Sequence, residues 1–358
     1  MRMIKDEVFV TGIGLGGGRV GYEFQKKNYP TYLINGSGQD NKTISEAKDV
    51  LVLEGYDGLA GDRGLAVEAL KKNKVILQKM ISIDKKIILL TATGGGTTGS
   101  GCITHLANIL CAKCPDKIIC ACLMMPRMDE PIQKRINAYN TAKELMEIPE
   151  MGALILVNNE SCNSDLDKIN FNLVNMLDAF FTDDSSSNVS NFDDSEKMKM
   201  LSDNGAFVIA MRSSSKTDPQ DENKKGNTQD MINSLTASNI FLPIGNEQIV
   251  SHIGIINQKD NHIDENEIAK AVGTPENIFI GNNGTVNIVC ASGLGFPTEY
   301  IAGMGKKAMD EQKQRIEKKK SFNLLDDLEE LETEAEITVK KSKNKRKQVS
   351  LDLLRELD

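Results

Sequence analysis

Thr91-Ala92-Thr93-Gly94-Gly95-Gly96-Thr97-Thr98-Gly99-Ser100-Gly101 lies between the apolar run Ile87-Ile88-Leu89-Leu90 and a segment of helical apolar spacing that begins at Cys102. A strand feeding a glycine loop that opens a helix is an oxyanion trap. Bare N–H groups and the positive end of the helix dipole both face the ligand. Glycine also removes the side chains that would hold an anion away. The bland alternative, a flexible linker, sits poorly between a buried-type strand and a helix. A second loop of this kind comes earlier. Val8-Phe9-Val10 reads as a first strand running into Gly12, Gly14, Gly16, Gly17 and Gly18, then into a helix through Phe24. Gly12, Gly14 and Gly17 fit the dinucleotide pattern G-x-G-x-x-G, a weak signal by itself. A dinucleotide fold wants an acid near the end of the second strand, where Tyr32-Leu33-Ile34 instead ends in Asn35. Neither loop carries the Gly-Lys-Ser/Thr of a P-loop.

The remaining pattern repeats the unit. Residues 50–53 read as a strand, residues 55–64 as a glycine-rich turn and residues 65–78 as a helix. Residues 117–123 form the next strand, ending at Met124-Met125-Pro126. Asp129-Glu130-Pro131 then opens a helix bearing Arg135, Tyr139 and Ala142. Residues 152–157 are another buried strand, followed by Asn158-Asn159-Glu160. This alternation predicts an α/β fold with a doubly wound, mostly parallel sheet, and ligands beyond the carboxyl ends of its strands. Residues 169–181 form a long helix with an apolar stripe of Ile169, Leu173, Met176, Leu177 and Phe180; Asn170, Asn172 and Asn175 lie off it. Residues 182–191 read as loop and residues 213–233 as loop or poorly periodic helix. Strands are expected at 205–210, 240–244, 251–256, 277–280 and 285–290, with a short helix at 264–272. Val208, Ile253, Ile280 and Ile288 would build a smaller second core. The expected division is 1–163 for ligand binding, 164–183 for the long helix and 184–300 for a second α+β domain. A C-terminal helix at 301–325 and a charged tail at 326–358 complete it.

Composition narrows the class. A net charge of -8 argues against a protein that coats nucleic acid without specificity. No apolar run reaches membrane-spanning length, so no membrane partner is expected. No leader-like segment precedes the seven cysteines, which read as cytoplasmic thiols. Cys111-x-x-Cys114 has no matching second pair, and apolar packing is the better account. His105, His252 and His262 are too scattered for a metal site. Residues 326–336 carry seven acids and residues 340–347 six bases, the blocked pattern of an interaction tail.

Over residues 8–300 the chain resembles the tubulin/FtsZ superfamily of polymerising GTPases, most of all its divergent plasmid and bacteriophage group, TubZ, of the clostridial phage type. The family signature G-G-G-T-G-S/T-G is matched by Gly95, Gly96, Thr97, Thr98, Gly99, Ser100 and Gly101, with Thr97 at the third glycine. The loops at 12–20, 35–39 and 55–63 resemble the family's first three nucleotide loops. The resemblance implies that Gly12, Gly14, Gly16, Gly17, Gly18, Asn35, Gln39, Gly61 and Asp62 join the signature in holding GTP or GDP with Mg²⁺; no metal-holding residue is assigned. It implies ribose contact by Glu130, near Pro126, and approach to the base by Arg135 or Lys134. It implies guanine recognition by Asn159 or Asn158 and by Asn172 or Asn175 on the central helix, where Phe171 would stack on the base. Asn191-Phe192-Asp193-Asp194-Ser195-Glu196 fits the family's catalytic loop N-x-D-x-x-E, giving Asn191, Asp193 and Glu196; a shifted register would use Asp194.

In the family these carboxylates complete the site of the next subunit in a head-to-tail filament. The resemblance therefore implies assembly-stimulated GTP hydrolysis and segregation of plasmid or phage DNA in a bacterial cytoplasm. A small DNA-binding adaptor of the TubR kind would engage the C-terminal tail, with residues 340–347 and 351–357 as candidates, and link it to centromere-like DNA. Three alternatives stand beside this: a cell-division FtsZ-type protein, a non-catalytic GTP-binding filament and a dinucleotide-dependent oxidoreductase. The last explains Gly12 to Gly17 but neither the signature nor the carboxylates.

Overall fold

The apolar runs become strands buried on both faces, as parallel strands between helical layers must be. The computed structural model describes residues 3–36, 46–56, 59, 61–183, 192–213, 224–237, 239–244 and 249–322. Gln39, Asn191, residues 57, 58 and 60 of the third loop and the tail candidates at 340–347 and 351–357 lie outside them.

A 3-10 turn, Ile4–Glu7, leads into β1 (Val8–Ile13), α1 (Gly14–Lys26), β2 (Thr31–Asn35) and β3 (Val50–Val52). Then come α2 (Arg63–Lys72), α3 (Lys74–Ile81), β4 (Ile87–Thr93), α4 (Thr97–Lys113), β5 (Ile118–Met125), α5 (Ile132–Met146) and β6 (Ala153–Asn158). After the 3-10 turn Cys162–Ser164 follow α6 (Leu166–Thr182), α7 (Asp194–Ser202), β7 (Gly205–Arg212) and α8 (Lys224–Thr236). The described part ends with β8 (His252–Gln258), α9 (Glu265–Val272), β9 (Asn277–Gly284), β10 (Asn287–Leu294) and α10 (Thr298–Phe322). Residues Met1–Gln312 form one compact unit.

The sheet runs β3-β2-β1-β4-β5-β6-β7-β10-β8-β9. Every pairing is parallel except those of β10, which runs against both β7 and β8. The mostly parallel α/β fold is thus the observed one. Helices α1, α6 and α7 cover one face with Val20, Phe24, Leu173, Leu177 and Met200. Helices α2 to α5 cover the other with Leu70, Leu77, Leu106 and Leu145, joined by Ile301 and Met304 of α10. The late strands do not close a core apart. Val208, Ile253 and Ile288 share a continuous cluster with Val10 and Leu89, because β6 pairs with β7 and carries the sheet across. The edges are short or irregular. β3 has three residues, and the ladder of β9 shifts register between Ile256 and Gln258, close to Asn283 at φ 63°.

Element boundaries depart from the sequence reading in four places. Gly14 to Gly18 open α1 rather than a loop, and α4 begins at Thr97 rather than Cys102. The helix expected at 65–78 is two helices broken at Asn73, whose side chain donates to the Ala69 carbonyl at 2.8 Å and accepts from Glu54 N–H at 3.1 Å. Residues 240–244 form no strand. Pro243 lacks a ladder donor, and Phe241 makes a single bridge to Val157. At 213–233, read as loop or poorly periodic helix, the helix is observed in the described part as α8, which runs on to Thr236.

Candidate nucleotide site

Two strand-to-helix turns meet at the carboxyl ends of β1 and β4. Gly14, at φ 70°, turns β1 directly into α1, a conformation that glycine adopts at little cost. Residues 94–96 make the second turn. A Cβ on Gly96 would stand 2.7 Å from Thr93 Oγ1, and one on Gly12 would stand 2.5 Å from the Gly17 carbonyl. That carbonyl accepts from Thr91 Oγ1 at 3.0 Å, holding α1 tightly on the sheet. The residues preceding the two helices, Ile13 and Gly96, provide no side-chain cap. The first-turn amides of α1 and α4 therefore open, with the positive ends of both dipoles, toward one cavity of about 460 Å³. That volume is in the range of small-molecule sites.

The cavity is lined at this end by Gly14, Leu15, Gly16, Arg19, Thr93 and residues 95–99. Beyond these the wall is completed by Met124, Pro126, Glu130, Asn159, Leu166 and Asn170, with Lys134 packed against Gly95. Glu130 accepts from Arg127 N–H at 3.1 Å and from Lys134 Nζ at 3.0 Å. Asn159 is 8% exposed, whereas the amide oxygen of Asn158 is turned to the Glu160 N–H at 3.0 Å. Of the two, Asn159 lines the cavity and Asn158 does not. The end rich in amides and Arg19 suits phosphates; the end with two asparagines suits a base edge that both donates and accepts.

Of the residues named from the sequence, Gly14, Gly16, Gly95, Gly96, Thr97, Thr98, Gly99, Pro126, Glu130, Lys134 and Asn159 line the cavity. Others lie behind it. Gly12, Gly17 and Gly18 pack α1 on the sheet. Ser100 and Gly101 pack α4 on α2: Arg63 donates to the Ser100 carbonyl at 2.8 Å, and a Cβ on Gly101 would meet Ala66. Asn35 is buried, its amide oxygen accepting from Gly36 N–H at 2.9 Å. Asp62 caps α2 through Gly64 N–H at 2.8 Å, and the neighbouring Gly61 faces open space.

Arg135 does not line the cavity, whereas its alternative Lys134 does. Arg135 is buried, donates to the Glu130 carbonyl at 2.9 Å and pairs with Glu311 of α10. Phe171 points outward at 57% exposure. Asn172 donates to Cys162 Sγ at 3.7 Å, and neither it nor Asn175 lines the cavity, which Leu166 and Asn170 do, one turn apart. Leu15, Arg19, Gly36, Leu59, Thr93, Met124, Leu166 and Asn170 were not singled out as binding residues. Arg19 was findable, since it lies four residues after Leu15 on the same face of a helix beginning in the glycine run.

Asp193 and Glu196 form a reciprocal capping box on α7. Asp193 accepts from Ser195 N–H at 2.7 Å, and Glu196 accepts from Asp193 N–H at 3.0 Å. The Glu196 contact and the two backbone N–H groups hold the Asp193 carboxyl below its ordinary range, while burial and the Asp193 charge push Glu196 up. A proton taken by the pair therefore rests on Glu196. These groups are not in the cavity. α6 starts there with Leu166 and Asn170 and ends at Asp183, whose carbonyl accepts from Lys197 of α7 at 2.6 Å. The seventeen residues of α6 span about 25 Å at 1.5 Å each.

All seven cysteines are free thiols, and Cys111 and Cys114 are both buried. Burial pushes Cys102 and Cys120 up to about 12. Among the described residues no three His, Cys, Asp or Glu side chains group as a metal site, and no helix is long and apolar enough to cross a membrane.

An amide-rich cavity thus lies at the strand ends of a doubly wound sheet, and one helix joins it to a distant carboxylate pair. Residues 7–167 match the model of the Tubulin/FtsZ family, GTPase domain. Tubulin-like protein TubZ of Clostridium botulinum C phage is 25% identical over 334 residues, covering 90% of this chain and 88% of that one. Tubulin-like protein CetZ of Pyrococcus abyssi is 29% identical over 185 residues, 47% of this chain, and the match spans 50% of its length. Among solved structures, Clostridium botulinum phage c-st TubZ with a truncated C-terminal tail superposes with a TM-score of 0.74 at 23% identity, over 87% of this chain and 99% of that one. A GTPγS-form protofilament of Bacillus thuringiensis serovar israelensis TubZ gives 0.69 at 17% identity, over 88% of this chain and 94% of that one. At these identities the structural likeness establishes the fold.

Proposed function

We propose that the chain is a GTPase that polymerises head to tail and completes each hydrolytic site with Asp193 and Glu196 of the adjoining copy. One observation carries this reading: the cavity and the carboxylate pair stand at opposite ends of α6. Within the cavity the carboxylate of Glu130 is already engaged by Arg127 and Lys134. Among the described residues, the cavity of a single copy thus offers phosphates a cradle but lines it with no unengaged carboxylate to orient the attacking water. Two copies stacked end on end would bring the halves together, and such a contact does not close on itself.

In the proposed site the amides of residues 95–99 and Arg19 hold the phosphates, and Asn159 and Asn170 read the guanine edge. The first-turn threonines, Thr97 and Thr98, keep α4 regular, so the departure at Thr97 from the family glycine leaves the cradle open. Mg²⁺ fits the same end, where the hydroxyls of Thr93, Thr97 and Thr98 are the protein oxygens on offer. It would neutralise phosphate charge, being held largely through phosphate and water. Asp193 and Glu196 orient water for in-line attack on the terminal phosphorus, and GDP leaves. Such transfer needs positioning and charge stabilisation more than covalent help.

Residues 1–163 would then bind nucleotide, 164–183 span the copy, 184–300 present the carboxylates, 301–325 close the fold and 326–358 recruit a partner. The likeness to the phage TubZ relative over most of its length favours DNA segregation, with a TubR-like adaptor on the basic residues 340–347 linking filament to centromere-like DNA.

The test is phosphate release and sedimentation across protein concentration, with GTP and with ATP. A critical concentration with GTP alone is expected. Glu196→Ala should still bind GTP and assemble, but with turnover lowered about 100-fold or more, as befits loss of a water-orienting group. Polymer turnover at the parental rate in that variant would sink the reading.

A further inference from the structure

Lys197 is 2% exposed, although it directly follows Glu196 in the first turn of α7. A cation there is poorly placed against the dipole of its own helix, and burying an ammonium is costly. The side chain instead serves another helix. Its Nζ donates to the Asp183 carbonyl at 2.6 Å, at the carboxyl end of α6, where carbonyls lack helical partners and the dipole favours a cation. The same Nζ lies 5.9 Å from the ring centroids of Phe180 on α6 and of Phe192, the residue before Asp193. Asp183 is itself fixed, its carboxylate accepting from Thr285 N–H at 3.1 Å and Oγ1 at 3.2 Å.

We propose that Lys197 is the positioning residue of the carboxylate pair, locking the first turn of α7 to the end of the helix whose other end walls the cavity. The proposal rests on the reading of Asp193 and Glu196 as groups supplied to a neighbouring copy. Asp193 is exposed and Glu196 half-buried, so their direction is not set by burial among apolar neighbours. It is set by the capping box, and the capping box is held by Phe192 on one side and Lys197 on the other. The amine acts through these groups and touches no reacting atom.

The test uses the full chain and reads polymer turnover, KM for GTP and GTP affinity in Lys197→Met, Glu196→Ala and the double variant. Methionine keeps the length of the side chain among Phe180 and Phe192 while removing its charge and hydrogen bond. Lys197→Met should lower polymer turnover by about 10- to 100-fold, the range for a misplaced catalytic group. KM and GTP affinity should stay unchanged. In the Glu196→Ala background the substitution should add no further loss, since both act through one group. Thr285→Val, on an exposed turn, should lower turnover in the same direction by a smaller factor, and decides the matter if Lys197→Met does not fold. Parental turnover in the folded variant overturns the proposal, as does a raised KM or an undiminished loss on top of Glu196→Ala. If Glu196→Ala itself turns over at the parental rate, the reading of the carboxylate pair fails and the proposal with it. A slow Glu196→Ala beside a fast Lys197→Met removes the proposal alone.

Discussion

Glu196 is the residue whose ionisation turnover should feel first. Burial and the neighbouring Asp193 charge raise it, and Asp193 is lowered by the same contact. As pH falls, the proton therefore reaches Glu196 before any ordinary carboxyl, whose range centres near about 4.3. Polymer turnover should decline on the acid side above that range, with KM for GTP steady. Phosphate release from preassembled polymer checks this, and a flat profile down to about pH 4.5 would contradict it. Individual roles were only partly legible from the chain. The glycines and threonines of the signature announced their chemistry because bare amides leave few other uses for them. Arg135 and Phe171 could not be placed that way. Which side of a helix meets a cavity depends on its rotation in the fold, and here that rotation sends Arg135 to Glu311, Phe171 outward and Asn170 inward.

Among the elements, α6 runs from the cavity to the turn that carries Asp193 and Glu196, and its polar contacts with the N-terminal segment converge on one carboxylate. Asp178 accepts from Tyr29 at 2.8 Å, Lys27 at 2.9 Å and Lys5 at 3.2 Å. Burial would raise its pKa, but the bonds from Lys27, Tyr29 and Lys5 outweigh it and hold the carboxyl below its ordinary value. A folded-state pKa depressed in this way contributes stability above the unfolded value of about 3.9, which is lost as pH falls through the folded value. Asp178→Asn should therefore unfold at lower urea at neutral pH, with the gap to the parent narrowing below about pH 4. An equal gap at both pH values would refute the ionic account. The strands β1, β4, β5 and β6 and the helix α6 were readable because a short unbroken apolar run between turns suits a buried strand, and a stripe of 3.6-residue period suits a half-buried helix. Helix starts were not. Glycine is a poor helix former, yet it is frequent in the opening turns of α1 and α4, because Gly17 packs on β4 and Gly101 on α2 with no room for a Cβ. Residues 240–244 carry strand-like composition and lost the ladder to Pro243.

For the molecule as a whole, a site divided between copies makes a prediction that no single copy can satisfy. Glu196→Ala keeps a sound cavity; Gly96→Val, whose side chain would collide with Thr93, keeps sound carboxylates. Each should hydrolyse GTP poorly alone. In an equal mixture that co-assembles at random, about a quarter of the interfaces would join one sound half to the other. Phosphate release should exceed the sum of the separate rates, and strict additivity would argue for a site contained in one copy. The edges of the sheet bear on the same behaviour from another side. A ten-stranded sheet with long, flat margins would invite cross-β accretion, chain upon chain, at the concentrations polymerisation requires. The three residues of β3 and the shifted ladder beside Asn283 in β9 offer little template for it. In the proposed head-to-tail polymer, margins that withhold lateral pairing leave the two ends of the molecule for growth, and the shape of two strands separates that reversible polymer from amyloid.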